Sequence, residues 1–277
     1  MNEPAPNVLL LGLPGAGKTD AVATLVEAGM EVFVIFTEQG RESLLEGAIR
    51  RGVDKDKLHW AYVGAATPGS KGLKTLFKEI STKDQSALQK SENLGGAKNY
   101  DQILDLIDLL NDFVDQNGVH YGDVESWGNG RALVIDGLSG INDMAMNLVV
   151  GGKPIKSIAD WGIAMDSEMS LIKNYVNSTT CMFVLIGHLE LNKDEVSGRI
   201  EKMPKLLGNK NSADFGKYWS DVVLAKDTGN DFVWSTQENG MQLKTRNLER
   251  GVKLEPSFVP LVKKWAGRYE TGGGDEG

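Results

Sequence analysis

Cysteine is almost absent. Cys181 is the only one in 277 residues, which excludes a disulfide framework within the chain and makes a reducing compartment the simple expectation. No apolar run approaches the ~18 residues that a membrane-spanning helix needs, so no membrane role is expected. The opening MNEPAPN has neither a basic stretch nor an apolar one, so no secretory signal is expected. Positive charge is also in deficit: 30 Lys and Arg against 38 Asp and Glu leave a net charge of −8. That argues against a broad basic surface for sequence-blind nucleic-acid binding, while leaving room for local basic loops. Internal repeats and a clear linker are missing as well, so one domain with embellishments is the expected plan.

What is present is a set of short, nearly continuous apolar runs: Val8 to Leu11, Glu31 to Thr37, Arg131 to Ile135 and Cys181 to Gly187. Such runs read as strands buried on both faces of a parallel sheet covered by helices. Helical patterns lie between them, over Thr19 to Ala28, Arg41 to Arg51 and Ile158 to Asn177, with Gly29 and Gly52 as stops. Leu58 to Val63 adds a short strand. Residues 64–99 are polar and lysine-bearing and read as a loop with a marginal helix. Tyr100 to Gln116 reads as a helix with one apolar face at Tyr100, Ile103, Leu104, Ile107, Leu110 and Val114. Its other face carries Asp101, Asp105, Asp108, Asp112 and Asp115, a solvated stripe or a docking surface for a basic partner.

The sharpest local signal is Gly12-Leu13-Pro14-Gly15-Ala16-Gly17-Lys18-Thr19, directly after the first apolar run. It satisfies every position of G-x-x-x-x-G-K-[ST], with strand before and helix after, as the phosphate-binding loop requires. The glycines let backbone N–H groups turn inward around phosphates. Lys18 is expected to reach the β- and γ-phosphates, and the Thr19 hydroxyl to hold Mg²⁺.

Three polar residues end later apolar runs. Asp136 closes RALVI and stands where a second Mg²⁺-ordering group is needed; Gly137 follows it, so a catalytic acid immediately after is excluded. Glu38 ends the strand after the loop's helix and opens onto the same sheet edge, as a base for the attacking water or else as a helix cap or surface acid. His188 ends CMFVLIG at that edge, as a γ-phosphate sensor or a simple strand cap. Farther on, Val222 to Lys226, Asp231 to Thr236 and Met241 to Arg246 read as a small antiparallel set, with Asn239-Gly240 as a hairpin turn. Alternation there places Lys244 and Arg246 on one face, as a phosphate clamp or a solvated edge.

In order, the loop, FTEQG at Glu38, VIDGLSG at Asp136, VLIGHLE at His188 and LKTR at Lys244 and Arg246 resemble the RecA-like P-loop ATPases, in particular phage-encoded single-strand annealing and recombination ATPases. DWGIAM at Asp160 to Met165 and MPKLLG at Met203 to Gly208 extend the resemblance over most of residues 7–250. It implies an α/β RecA-like fold, mostly parallel and helix-covered, with a C-terminal antiparallel hairpin extension. It also implies an ATPase domain over 1–255, with 64–130 as a helical and loop insertion and 256–277 as a C-terminal segment with a disordered acidic tail. ATP and Mg²⁺ are the implied ligands, Glu38 the base, His188 the sensor, and Lys244 and Arg246 trans fingers on a neighbouring subunit's nucleotide. The implied partners are further copies in a ring or filament, single-stranded DNA, and a single-strand-binding or other phage replication or recombination protein; the implied location is the cytoplasm, of a bacterial host if phage-encoded. The loops after the Asp136 and His188 strands would face DNA, yet Asn192 to Lys217 is only weakly basic, with Lys193, Arg199, Lys202, Lys205, Lys210 and Lys217 offset by four acids.

Two other classes share the loop. A small P-loop kinase would need an arginine-rich lid, which the Lys244/Arg246 pair fits poorly. A nucleotide-gated assembly scaffold would suit the acidic balance. Changing Glu38 to Gln separates the three.

Overall fold

The computed structural model describes residues 5–64, 69–90, 101–151, 153, 156–193, 198, 200–208 and 214–270. The apolar runs become β1 (Asn7–Gly12), β2 (Glu31–Phe36), β3 (Leu58–Tyr62), β4 (Arg131–Asp136) and β5 (Met182–Gly187). β6 (Leu189–Lys193) and β7 (Ile200–Pro204) pair only with each other, while β8 (Asp221–Asp227) and β9 (Phe232–Ser235) extend the main sheet. That sheet has seven strands in the order β3-β2-β4-β5-β1-β8-β9. All are parallel except β9, which runs antiparallel to β8. The chain is thus α/β, with a mostly parallel sheet and a separate antiparallel hairpin.

Helices cover both faces, because strands without a polar side must be buried twice. One face is closed by α1 (Lys18–Ala21), α2 (Ala23–Glu27) and α3 (Arg41–Arg51). α4 (Gly69–Thr82) and α5 (Gln85–Gln89) follow, and α6 (Gln102–Asn111), α7 (Leu138–Val150) and α8 (Ile158–Ser178) belong to the second face. α9 (Val259–Glu270) lays Leu261, Val262 and Trp265 onto the first core, and the Phe258 N–H just before it bonds Thr24 Oγ1 at 2.8 Å. The expected acidic tail, 271–277, lies outside the described residues, as do Arg199 and Lys210.

Register places the site. Leu11 pairs with Gly187, Asp136 with Ile186, and Phe36 with Asp136. One step beyond these pairs, Gly12 is level with His188, Gly137 with Gly187, and Thr37 with Gly137, so Gly12, His188, Gly137 and Thr37 lie within one residue of a common row on the carboxyl edge of four adjacent strands. Open α/β sheets bind ligands at that edge, where successive connections leave in opposite directions.

The helix predicted over Tyr100 to Gln116 ends at Asn111; Tyr100 itself is outside the described residues. Its buried face is Ile103, Leu106 and Leu110, while Leu104 is 50% exposed. Asp115 is no part of a solvated stripe: its buried carboxylate accepts the N–H groups of Asn117 and Val119 at 2.8 and 3.0 Å and meets His59 Nδ1 at 3.1 Å. These bonds compete with helix continuation and turn the chain back. Phe113, just past the helix end, then packs edge-on against Phe33 and Tyr121.

The segment Met241 to Arg246, predicted as a strand, is not one. It makes one isolated bridge, Val222 with Lys244, and no ladder. Asp221 explains this, because its buried carboxylate accepts the N–H groups of Arg246 and Asn247 and the Thr245 hydroxyl at 2.8, 2.9 and 2.9 Å, which curls the chain. The Asn239-Gly240 turn docks sideways instead, its Gly240 carbonyl accepting the Lys202 N–H at 2.7 Å. The polar stretch read as a loop after His188 contains the unpredicted hairpin β6–β7. No helix among the described residues is long and apolar enough to cross a membrane.

Candidate functional site

The loop from Gly12 to Thr19 wraps the end of β1, with Gly15 and Gly17 in left-handed conformation at φ 79° and 73°. Behind it Asp20 is held by Arg51 at 2.9 Å and by Arg50, which ties α1 to α3. The loop forms the floor of a cavity of about 410 Å³ whose walls include Glu38, Asp136, Gly137 and His188.

Lys18 is 6% exposed and donates to the carbonyls of Gly12 and Leu13 at 3.0 and 2.8 Å. Burial lowers its pKa to about 8, against the pull of the Asp136 and Glu38 carboxylates. Thr19 donates its hydroxyl to Asp136 Oδ2 at 2.6 Å. Burial raises the Asp136 pKa above the usual range despite that bond and the Lys18 charge.

Glu38 crosses from β2 to α7. Its Oε1 accepts the Gly140 N–H at 3.1 Å, and its Oε2 lies 3.5 Å from His188 Nε2. The hydrogen bond from His188 is the main cause of a lowered Glu38 pKa, with burial opposing it and Ser139 and Gly140 assisting. Glu38 is therefore an ionised carboxylate aimed at the cavity, and it also caps the first turn of α7; α3 begins from Gly40 without it. His188 is bound to this carboxylate, so it is more than the end of a strand. Its Nδ1 is buried without a hydrogen-bond partner among the described residues.

Gly137 shows why an acid cannot follow Asp136 here. Its φ is +124°, and a Cβ built on it would stand 2.3 Å from Thr37 Oγ1 and 3.0 Å from Glu38 Cγ. A side chain would push Glu38 out of place.

Five predicted residues, Lys18, Thr19, Glu38, Asp136 and His188, thus converge. Lys244 and Arg246 do not join them within the subunit. Lys244 faces Val222, level with Leu9, whereas Gly12 pairs with Ala225, roughly 10 Å farther along β8 at ordinary strand rise. The Lys244 ammonium donates to the Trp219 carbonyl at 2.7 Å, and burial lowers its pKa. Arg246 is the more exposed of the two.

Phe232 went unread in the sequence. It belongs to the edge strand β9, yet its ring leans on Gly17 and lines the cavity. An aromatic at the head of a strand reads as core, and only the pairing of β9 beside β8 carries it to the loop. A scan against protein-family models finds no match, and no curated protein matches the chain.

Proposed function

We propose that this chain is a RecA-like P-loop ATPase that binds ATP with Mg²⁺ between the subunits of a ring or filament and acts on single-stranded DNA in phage recombination, replication or repair. One observation carries the reading: a complete phosphate loop, two carboxylates and a histidine from four adjacent strands face one cavity.

The residues suit Mg²⁺. The Thr19 hydroxyl and an Asp136 oxygen already meet at 2.6 Å at the mouth of the phosphate loop. A hard cation held by one hydroxyl and one carboxylate keeps most of its water shell, as Mg²⁺ does in phosphate sites. Bound there, it would neutralise charge on the β- and γ-phosphates. Lys18 leaves the loop carbonyls for the phosphate oxygens, and its proton is retained as the anion arrives. Glu38 accepts the proton of the attacking water, while His188 and the Gly140 N–H fix its orientation. Arg246 reaches the cavity of the neighbouring subunit and stabilises the charge that develops there, an effect worth about 10³–10⁵ in turnover for such a finger. Lys244, turned onto Trp219, holds the segment in shape.

The surface that would meet DNA is the β6–β7 hairpin, which leaves the sheet edge directly after His188; its exposed Lys193 is offset by exposed Glu190 and Glu201, so contact there would not rest on a basic patch. A kinase reading draws support from a second cavity of about 300 Å³, lined by Phe36, Trp60, Tyr62 and Arg41, that shares Glu38 with the phosphate site. An acceptor hydroxyl placed there would have Glu38 as its base. ATP hydrolysis with and without single-stranded DNA, alongside particle size with a slowly hydrolysed ATP analogue, tests the proposal. It expects DNA stimulation and a large assembly. A monomer without stimulation overturns it in favour of the kinase.

A further inference from the structure

The cavity has two ends of different chemistry. Asp136, Glu38 and His188 come from β4, β2 and β5, all on one side of β1. On the other side lie β8 and β9, and from that side Phe232 is the described residue that lines the cavity. A triphosphate whose terminal group faces the carboxylates must send its nucleoside the other way, over Gly15 to Gly17 and toward β9.

Phe232 is placed to receive it. Alternation puts it on the same face of β9 as Trp234, which is fully buried and packs edge-on against Phe258 at 4.8 Å. Phe232 stands past the end of that core, where the face opens onto the phosphate loop, and 39% of it is exposed. The loop makes room for it: a Cβ built on Gly17 would come within 2.7 Å of the Phe232 ring, so only glycine there lets the ring sit this close to the loop. An aromatic with 39% of its surface open beside a phosphate grip, held on the edge strand β9, offers a surface on which a base can stack.

We infer that Phe232 is the base platform of this site, stacking the base of a bound nucleoside triphosphate without reading its edge. The inference rests on the nucleotide reading above. Every base offers a π-face, so the platform accepts adenine and guanine alike and favours purines over pyrimidines by contact area.

Calorimetric titration of the full chain with Mg²⁺ and ATP, GTP or inorganic tripolyphosphate tests it, on the unchanged protein, Phe232→Ala and Phe232→Trp. Affinities for ATP and GTP should agree within a few-fold in the unchanged protein and fall about 5- to 100-fold in Phe232→Ala. Tripolyphosphate affinity should stay the same, and Phe232→Trp should restore both nucleotides. Equal weakening of all three ligands would mean that Phe232 only braces the loop, and unchanged nucleotide affinity would mean that it touches no base; either overturns the inference. Failure of the unchanged protein to bind even tripolyphosphate defeats the phosphate-site reading itself, a distinct result.

Discussion

Thr19 and Asp136 are 117 positions apart in the chain, yet the threonine hydroxyl donates to the aspartate at 2.6 Å. The bond links the start of the loop's helix to the end of β4 across the intervening strand β5, and it satisfies a carboxylate that is 8% exposed. Thr19→Ala should therefore destabilise the fold by about 1–3 kcal/mol, the cost of leaving a buried acceptor without its donor. Because burial already raises the Asp136 pKa, losing the donor raises it further, and the destabilisation grows as pH rises and the carboxyl ionises. Thermal unfolding of Thr19→Ala and Thr19→Ser across pH checks this; Ser should retain most of the stability.

Lys18 predicts a pH dependence of binding. Its folded pKa of about 8 lies below the ordinary 10.5, so between these values the unfolded chain holds more protons and the free protein gains stability as pH rises. A bound polyphosphate favours the charged ammonium and restores the higher pKa. Affinity for tripolyphosphate should thus fall by about tenfold per pH unit above pH 8, with proton uptake on binding. Titration in buffers of different ionisation enthalpy measures both. A flat profile from about pH 7 to about pH 10 contradicts the role given to Lys18.

Glu168 on α8 makes a prediction outside the site. It is fully buried, accepts the Leu207 N–H at 3.2 Å, and burial raises its pKa from 4.5 to about 8. The folded state then holds the extra proton between those values, so stability falls as pH rises from about 4.5 to about 8. Glu168→Gln keeps an acceptor for Leu207 and removes the ionisation. It should stabilise the protein at pH 7 by roughly 1–3 kcal/mol and flatten that slope, as read from denaturant unfolding.

The sheet and most of the site were legible because Lys18, Glu38, Asp136 and His188 each stand at the end of an apolar run or beside a glycine turn. In a parallel sheet, those ends share one edge. What was hidden depends on contacts between distant segments. Glu168 looks like any helix acid until Leu207 folds over it, and Asp115 continues a regular acidic spacing but serves His59 and two backbone N–H groups. The 241–246 strand had the right alternation, yet Asp221, far upstream, outcompetes a ladder for its N–H groups. Local pattern cannot report a side chain that arrives from elsewhere.

Arg246 and Lys18 should complement across subunits. Arg246→Ala should keep ATP binding and lose DNA-stimulated hydrolysis, and Lys18→Ala should lose both. Mixing the two inactive variants should recover part of the activity, because an intact finger from one reaches an intact loop in the other. No recovery in assemblies shown to contain both proteins counts against the shared site.

The most direct test of the account is the ATP turnover of Glu38→Gln beside the unchanged protein, with ATP affinity measured on both. Glu38 bonds His188 and Gly140 through its two oxygens, and Gln preserves the shape while removing the base. Affinity should stay within about threefold of the unchanged protein's, and turnover should fall by about 10²–10⁴-fold. Undiminished turnover with intact binding would contradict the role of Glu38 as the base.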